Sequence, residues 1–324
     1  MREKLNEDAV LQKIQEAAQR SRGGGVELGI GDDTAIWKPT RGYETILTCD
    51  WSLEGSHFLL DKHPANAIGW KALARATSDI AAMGGVARCF LLNLALPLDL
   101  TGKWLSEFLT GTIRASRKFG CVLAGGDTTR RKDVLINITV VGEVRPGRAV
   151  LRSGAKVGDE LFVSGVLGQA DVGLRELLAA TGLARATNKN LRKHMYPEPR
   201  LELGRWLAEK RLASAMMDLS DGLSTDLARL CAASGVGARV DEGALPRVEL
   251  RDAADALRLA LHGGDDYELL FTVAQRNAHK VPKNFRGLPL TRIGTIVPGK
   301  KIRLLESSGT EKNLLAGGWD PFRE

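Results

Sequence analysis

Short apolar runs alternate with longer segments of helical periodicity along the whole chain. A period near 3.6 residues is typical of helices, and short apolar or β-branched runs bounded by turn residues are typical of strands. Helices are predicted over 6–20, from Pro64 up to Gly84, and over 101–118, 169–181, 198–210, 222–233 and 251–261, with Thr101 as the cap of the third. Strands are predicted over 45–49, 90–96, 122–124, 134–144, 161–164, 215–219, 238–240 and 269–273. The alternation restricts the fold to the α/β class or the related α+β class.

The segment after Pro146 interrupts this alternation. It contains RSGAKVGD at 152–159, a basic stretch with two glycines and no apolar periodicity. Such a stretch is typical of a domain boundary, and a chain of 324 residues is expected to form about two domains. We therefore predict an N-terminal α/β domain over 1–148 and a C-terminal α/β domain over 149–324.

Composition argues against several classes of protein. No apolar run reaches the ~18 residues that a membrane-spanning helix requires, and the first residues are charged, so we expect a soluble, cytoplasmic protein without a membrane partner. The four cysteines contain no CxxC pair, which favours reduced thiols over a zinc site or a disulfide framework. The net charge of +7 favours an anionic partner, but aromatic residues make up only 5% of the chain, so nucleic acid is not the expected partner.

Aspartates stand beside glycines at several predicted strand ends and loops. Magnesium prefers hard oxygen ligands and is usually bound by a few carboxylates together with substrate phosphates. In α/β folds the carboxyl ends of strands form the ligand-binding crevice, so these carboxylates are expected to converge there. A single aspartate beside a glycine is more simply a turn residue, or a helix cap in the case of Asp218 or Asp221. The whole set favours a magnesium site: Asp32, Asp33, Asp50, Asp79, Asp127, Asp218 and Asp221.

Phosphate binding is expected near the same glycines, because their backbone N–H groups are unshielded. No G-x-x-x-x-G-K-[ST] or G-x-G-x-x-G motif follows a predicted strand, so a P-loop or Rossmann enzyme is not expected. Arg152 and Lys156 offer cations for a nucleotide phosphate, although a solvated interdomain loop explains them nearly as well. His57 is either a substrate contact or proton shuttle, or a structural histidine. Cys49 is more simply a small core thiol than a nucleophile.

Seven strings along the chain together resemble the thiamine-monophosphate kinase family, which belongs to the aminoimidazole-ribonucleotide-synthetase-like ATP-binding superfamily. The strings are GIGDDTAI (29–36), TCDWSLEGSHF (48–58), KALARATSDIAAMGG (71–85), GGDTTR (125–130), LRSGAKVGDELFVSG (151–165), MDLSDGLSTDL (217–227) and GGDDYELLFT (263–272). The resemblance implies transfer of the ATP γ-phosphoryl group to thiamine monophosphate, giving thiamine diphosphate without a covalent phosphoenzyme. It also implies a two-domain fold with ATP held between the domains. The N-terminal mixed sheet is expected to pair with that of a second copy in a homodimer.

The resemblance also assigns roles to individual residues. Several Mg²⁺ ions are expected on Asp32, Thr48, Cys49, Asp50, Asp79, Asp127, Asp218 and Asp221, of which Asp50, Asp127 and Asp218 are the expected catalytic acids. Nucleotide contacts are expected from Gly126, Asp127, Arg152 and Ser220, and thiamine monophosphate contacts from His57, Asp265 and Trp319.

Two of these positions depart from the family pattern. Asp265 replaces a usual glutamate, so its substrate contact is expected to pass through water or to fall to Asp266. Cys49 stands where a hydroxyl residue is common, so its ligand is expected to be the backbone carbonyl.

Other members of the superfamily are the nearest alternatives. A selenophosphate synthetase is expected to carry a reactive cysteine near its N-terminus, and a hydrogenase-maturation dehydratase a cysteine at its C-terminus. This chain begins MREKLNED and ends WDPFRE, and neither string contains a cysteine. Both alternatives are therefore disfavoured. A non-catalytic binding module of the same fold is expected to have lost the acidic ligands, whereas every aspartate of the motifs is present.

Overall fold

The structure is a computed structural model that describes residues 4–20 and 23–323. Its helices are α1 (Glu7–Ala18), α2 (Ala65–Ala82), α3 (Lys103–Phe119), α4 (Gln169–Ala179), α5 (Lys189–Met195), α6 (Leu201–Glu209), α7 (Leu223–Ser234) and α8 (Ala253–His262). The strands of its first half are β1 (Val26–Leu28), β2 (Ile36–Trp37), β3 (Glu44–Leu53), β4 (Val86–Leu96), β5 (Val122–Arg130) and β6 (Leu135–Val144). The later strands are β7 (Glu160–Ser164), β8 (Ala213–Leu219), β9 (Gly237–Asp241), β10 (Glu268–Val273), β11 (Asn284–Phe285), β12 (Leu288–Val297), β13 (Ile302–Leu305) and β14 (Glu311–Asn313).

The first half is built on a mixed sheet with the strand order β3-β6-β4-β5. β6 runs antiparallel to both β3 and β4, whereas β4 and β5 are parallel. α2 and α3 cover one face, where Leu73, Phe90, Phe108 and Ile136 are fully buried. The opposite face exposes apolar side chains, since Leu47 and Trp51 are 68% and 53% exposed.

The second half is built on a larger sheet with the order β14-β13-β9-β12-β7-β10-β8, and β11 pairs with β12. All of its pairs are antiparallel except that of β13 with β9. α7 packs on one core cluster through Leu227 and Leu230, and α6 packs on another through Leu207. The strands near the middle of this sheet have apolar residues on both faces, because helices cover both.

α2 joins the two halves. Gly204 of α6 lies against it so closely that a Cβ on Gly204 would stand 2.0 Å from the Ala81 carbonyl oxygen. At the other end of the helix, the Trp70 indole N–H donates to the Pro197 carbonyl at 2.7 Å. Polar residues of α2 therefore lie where the two sheets approach each other.

Several predicted boundaries are wrong. α3 begins at Lys103 after Gly102, and Thr101 does not cap it. The Thr101 hydroxyl instead accepts a hydrogen bond from the Leu5 N–H and donates to the Leu98 carbonyl, both at 2.8 Å. β5 continues to Arg130, since Gly125 to Arg130 pair with β4. Short elements without a strong apolar run were not predicted: α5, β1, β2, β11, β13 and β14, together with the longer β12. Within residues 4–20 and 23–323, no helix has both the length and the apolar character to cross a membrane.

Candidate active site

One polar stripe of α2 provides the floor of the site. Lys71, Arg75 and Asp79 are spaced four residues apart, so they lie on the same face of the helix. Lys71 is buried although it is charged, and Ser78 is also buried beside Asp79. Such groups are stable in the interior only when they are paired, so their partners define the site.

Two side chains of β3 face this stripe. Alternate residues of a strand point to the same face, so Thr48 and Asp50 lie together on the side of α2. The Thr48 hydroxyl donates to Asp79 Oδ2 at 2.5 Å. Arg75 donates to both carboxylate oxygens of Asp50, from Nε at 3.2 Å and from Nη2 at 3.4 Å. Asp50 lies inside β3, not at the strand end where the sequence placed it, because β3 continues to Leu53.

β8 supplies a further carboxylate from the second half of the chain. Asp218 is 4% exposed and accepts a hydrogen bond from the Ser78 hydroxyl at 2.6 Å. Burial, with the negative charge of Asp79 next in importance, raises the pKa of Asp218 to about 7. Burial also raises the pKa of Asp79, and the nearby charge of Asp50 adds to this effect. Asp79 is therefore close enough to both Asp50 and Asp218 for repulsion between the carboxylates, and the positive charge of Arg152 partly offsets the effect at Asp79.

Asp265 lies at the Lys71 end of the stripe. Its carboxylate accepts hydrogen bonds from Lys71 Nζ and from the Tyr267 hydroxyl, both at 2.7 Å, and Arg75 Nη1 is 3.8 Å away. Burial opposes its ionisation, but the charges of Lys71 and Arg75 outweigh burial and lower the pKa of Asp265. Its φ of +65° is unusual for a residue other than glycine, and its backbone N–H donates to the Ser220 carbonyl at 2.8 Å. Asp265 is therefore an oriented, ionised acid.

Asp266 has a different environment. It is 2% exposed and accepts hydrogen bonds from the backbone N–H groups of Gly168, at 2.6 Å, and Ala170, at 3.0 Å. Its two carboxylate oxygens therefore fix the start of α4, and Asp265 is the more accessible of the two acids.

His57 lies within reach of the same charges. Its Nδ1 accepts a hydrogen bond from the Leu53 N–H at 3.0 Å. Burial and the positive charge of Arg75 lower the pKa of His57 to about 4, although Asp265 and Asp50 act in the opposite direction. The imidazole is therefore neutral near pH 7.

The loop between β8 and α7 places Ser220 and Asp221 beside Asp218. Asp226 Oδ2 accepts hydrogen bonds from the backbone N–H groups of Ser220 and Asp221, at 3.1 and 3.0 Å. Arg229 bridges Asp221 and Asp226. The N-cap of α7 is Gly222, without a side-chain hydrogen bond, so neither Asp218 nor Asp221 is a simple helix cap.

The C-terminal segment packs against this loop. The Trp319 N–H donates to the Asp221 carbonyl at 2.9 Å, and the Gly318 N–H donates to the Thr225 hydroxyl at 3.0 Å. The Trp319 side chain is 51% exposed. Its backbone is thus fixed beside Asp221 while much of the indole remains open to solvent.

Asp32 and Asp127 differ in environment from Asp50, Asp79 and Asp218. Both are exposed, and each carboxylate accepts a hydrogen bond from the next backbone N–H, at 2.8 Å for Asp33 and 2.9 Å for Thr128. Asp127 is paired with Asn93 inside the β4–β5 ladder, so it is not the strand-end residue that the sequence predicted.

Gly126 and Cys49 occupy specialised backbone positions. Gly126 has a φ of +145°, and a Cβ there would stand 1.9 Å from the Leu92 carbonyl oxygen, so only glycine fits. The Cys49 thiol points to the face opposite Thr48 and Asp50, where it contacts the Asn137 side chain at 3.1 Å. A ligand from Cys49 to the group around Asp79 therefore has to be its backbone oxygen.

Among the residues that the structure describes, no group of three or more His, Cys, Asp or Glu side chains is arranged to hold a metal ion by itself. Hard carboxylate oxygens, together with water and substrate phosphates, are the ligands that magnesium prefers. The donor groups of Asp50, Asp79 and Asp218 are hard oxygens whose mutual repulsion a cation would relieve.

Four residues of the site were not predicted from the sequence: Lys71, Arg75, Ser78 and Tyr267. A signal for Lys71 and Arg75 was present, because they lie eight and four residues before Asp79, respectively, in a helix that is otherwise mostly apolar. No comparable signal marked Tyr267, since its position beside Asp265 depends on the turn before β10.

Comparison with known proteins extends these observations. The N-terminal domain of AIR synthase related protein matches residues 31–144, and the C-terminal domain of AIR synthase related protein matches residues 156–306. Thiamine-monophosphate kinase of Escherichia coli K12 is 39% identical over 305 residues, which cover 92% of each chain. Thiamine-monophosphate kinase of Bacillus subtilis 168 is 34% identical over 312 residues, which cover 92% of this chain and 94% of the relative.

Solved structures give the same result. Thiamine-monophosphate kinase from Stenotrophomonas maltophilia K279a superposes with a TM-score of 0.81 at 36% identity, covering 93% of this chain and 97% of that one. AaThiL complexed with AMPPCP and TMP has a TM-score of 0.76 at 32% identity, covering 90% and 92%. E. coli HypE, a hydrogenase maturation protein, has a TM-score of 0.76 but only 22% identity, so it shows the shared fold alone. The two-domain, aminoimidazole-ribonucleotide-synthetase-like α/β fold predicted from the sequence is thus confirmed, and the chain belongs to the thiamine-monophosphate kinase family.

Proposed function

We propose that this chain transfers the γ-phosphoryl group of ATP to thiamine monophosphate and forms thiamine diphosphate and ADP. The observation that carries the proposal is the meeting of Asp79 of α2 and Asp218 of β8 at the junction of the two halves, with Asp50 beside them. Family relatives with this activity in their names support it, as does the solved relative that holds AMPPCP and TMP.

The residues of this site fit magnesium as the required metal. Thr48, Asp50, Asp79 and Asp218 would hold it near the α2 stripe, together with Asp221 and the backbone oxygen of Cys49, and Asp32 and Asp127 would contribute from exposed positions. Bound magnesium would neutralise charge between the two phosphate groups that react. Several ions are expected, because the carboxylates lie in separate environments.

The protein itself would mainly orient the reactants. Phosphoryl transfer proceeds through a loose transition state, so positioning and charge neutralisation matter more than covalent participation. The acceptor is a phosphate that is already anionic near neutral pH, so direct in-line attack needs no strong general base. A neutral His57 is consistent with a hydrogen-bonding role.

Nucleotide and substrate contacts are expected from different residues around the α2 stripe. Arg152 would contact the ATP phosphates together with Ser220, and the backbone at Gly126 and Asp127 would lie along the nucleotide. The ionised Asp265 suits the cationic thiazolium of thiamine monophosphate, and the exposed indole of Trp319 can stack on one of its rings.

The decisive test is an assay of purified protein with ATP and thiamine monophosphate, with and without Mg²⁺, that measures thiamine diphosphate. We expect product only when Mg²⁺ is present. Absence of product with Mg²⁺, combined with ATP-dependent phosphorylation of another acceptor, would overturn the substrate assignment.

We also propose a homodimer formed through the N-terminal sheet. The support is the exposed apolar face that carries Leu47, Trp51 and Leu91, because a face of this kind is typical of an interface. The proposed domains remain 1–148 and 149–324, with the linker after β6. A cytoplasmic location is proposed because ATP is the phosphoryl donor and because no cysteine of the described chain is in a disulfide.

A further inference from the structure

A small cavity rich in arginine lies at the opposite end of β3 from Asp50. It has a volume of about 80 Å³ and is lined by Arg88, Arg145, Arg148 and Arg205 together with Glu143 and Glu209. The β3–β6 ladder pairs Glu44 with Val144 beside this cavity and pairs Asp50 with Ile138, six residues further along. At a rise of ~3.4 Å per residue, the cavity is therefore about 20 Å from Asp50 along the strand.

Two of the arginines are neutralised by carboxylates. Arg88 Nε donates to Glu143 Oε2 at 2.6 Å, and the second oxygen of Glu143 accepts a hydrogen bond from the Thr40 N–H at 2.5 Å. Arg205 pairs with Glu209 at 2.9 Å within α6. Because both glutamates of the cavity are used in these pairs, the positive charges of Arg145 and Arg148 are not neutralised by them.

In the part of the chain that the structure describes, no ion pair joins Arg145 or Arg148 to a carboxylate. Arg145 Nε donates to the hydroxyl of Tyr43 at 3.2 Å, and the charge of Glu209 acts on Arg145 only from a distance. Arg148 Nη1 is buried, and no acceptor among residues 4–20 and 23–323 forms a hydrogen bond with it. A buried, unpaired cationic donor is unfavourable, so a group of this kind normally indicates a bound water or ion.

The ends of two helices offer a competing explanation. α2 and α6 both end at this cavity, and the carboxyl end of a helix attracts cations. Attraction to the helix ends would be satisfied by a hydrogen bond from Arg148 to one of the last carbonyls. Arg148 Nη1 has no such bond among the described residues, so the helix ends account for the position of the arginines but not for the unpaired donor.

We propose that this cavity binds a small oxyanion of the phosphate class. Guanidinium groups match the geometry of phosphate oxygens and can donate two parallel hydrogen bonds to them. The cavity has room for several water molecules but not for a nucleotide, because a water needs only ~10–15 Å³ of such space. The site is distinct from the proposed ATP and thiamine monophosphate site.

Occupation of the cavity would connect the two halves. Arg145 and Arg148 lie on the linker after β6, Arg88 lies on β4, and Arg205 lies on α6 of the second half. An oxyanion bridging Arg148 to Arg145 would fix the linker between the N-terminal sheet and α6. It would therefore stabilise the docking of the halves on which the contact between Asp79 and Asp218 depends.

The test is titration calorimetry of the full-length protein with inorganic phosphate, in saturating AMPPCP and Mg²⁺ so that the proposed nucleotide site is filled. We expect one phosphate site in the wild-type chain and at least a tenfold weaker affinity in Arg148→Gln. Arg251→Gln removes the same charge from an exposed position and should bind like wild type. Arg145→Gln should also weaken phosphate binding. Because the Arg145 side chain is exposed, this variant provides the test if Arg148→Gln does not fold.

A second titration uses glycerol 3-phosphate in place of inorganic phosphate. Binding of both ligands would assign the site to phosphomonoesters, and binding of inorganic phosphate alone would assign it to the free ion. No phosphate binding by wild type, or equal affinity in the wild type and both cavity variants, would overturn the proposal. Kinase activity is not the readout, so failure of the proposed function would leave this result unchanged.

Discussion

The acidic residues predicted from the sequence have two kinds of environment. Asp218 is buried and Asp79 is half-buried, and the charge of Asp79 raises the pKa of Asp218, whereas Asp32 and Asp127 are exposed and accept hydrogen bonds from neighbouring backbone N–H groups. Buried carboxylates are needed for the fold as well as for chemistry, because their hydroxyl partners lose a hydrogen bond when the acid is removed. The exposed acids therefore give the clearest test of function.

Asp127→Asn should remove most of the kinase activity without unfolding the protein. The substitution retains size and removes a charge proposed to hold magnesium and nucleotide, and loss of one such stabilising group lowers kcat by about 10²–10³-fold. Because Asp127 is exposed, we expect the free energy of unfolding to change by less than about 0.5 kcal/mol. Asp133→Asn is the matched exposed control. Near-normal turnover in Asp127→Asn would remove this residue from the proposed site.

The buried ion pairs of Glu268 predict that the protein loses stability in acid. Glu268 is 1% exposed and is paired with Lys193 and Arg200, whose Nε donates to it at 2.7 Å. Burial alone would raise its pKa, but the two cations outweigh burial and lower the pKa of Glu268 to about 2, below its ordinary value of 4.5. An acid with a lowered pKa contributes stability above its unfolded-state pKa and loses it as the pH falls through the folded-state value. The affected range is therefore from about pH 4.5 down to about pH 2.

The measurement is the free energy of unfolding by denaturant at several pH values from 6 to 3. The contribution of Glu268 is on the order of 3 kcal/mol, from ~1.4 kcal/mol per pKa unit. Glu268→Gln should be less stable near pH 7 and should lose less stability on acidification than wild type. Glu202→Gln, which changes an exposed pair with Arg286, should follow the wild-type profile. Identical pH profiles for wild type and Glu268→Gln would contradict the assignment.

At the scale of elements, α2 is the part of the fold on which the site depends most. It carries Lys71, Arg75, Ser78 and Asp79, and its position is set by close contact with α3. A Cβ on Gly111 would stand 1.9 Å from the Asn66 carbonyl oxygen. This closeness explains why glycine occupies a helix interior, where it is otherwise unfavourable.

Gly111→Ala should therefore destabilise the protein and weaken catalysis together. The added methyl group forces α2 and α3 apart, and overpacking of this kind usually destabilises by about 1–3 kcal/mol. We expect a lower thermal midpoint and a lower kcat. Gly243→Ala is the control, because its Cβ would meet only Asp241 Oδ1 at an ordinary 3.5 Å. Wild-type stability in Gly111→Ala would show that the helices separate without strain.

At the scale of the whole molecule, the exposed face of the N-terminal sheet predicts self-association. Leu47→Lys would place a charge in the centre of the proposed interface, where an unpaired charge is strongly unfavourable. We expect light scattering to show a dimer for wild type and a monomer for this variant. Leu315→Lys, at a position 76% exposed in the C-terminal segment, should remain dimeric. A dimer that persists in Leu47→Lys would place the interface elsewhere.

The amino-acid sequence by itself determined the α/β class, the family and most of the long helices and strands, because these depend on local periodicity and on short motifs. It also determined that Asp79 lies in the last turns of α2, where the structure has it. The tertiary structure alone decided which acids meet. Asp50 and Asp127 proved to lie inside β3 and β5, and strand pairing set the face of the sheet to which each points.

Long-range packing also decided the partners of each charge. Arg75 reaches Asp50 across 25 positions, Ser78 reaches Asp218 across 140, and Lys71 reaches Asp265 across 194. No local pattern encodes such pairs, because they exist only once α2 is packed between β3 and β8. The residue types required for the chemistry are therefore fixed by the sequence, whereas their charges, orientations and partners are fixed by the burial that folding imposes.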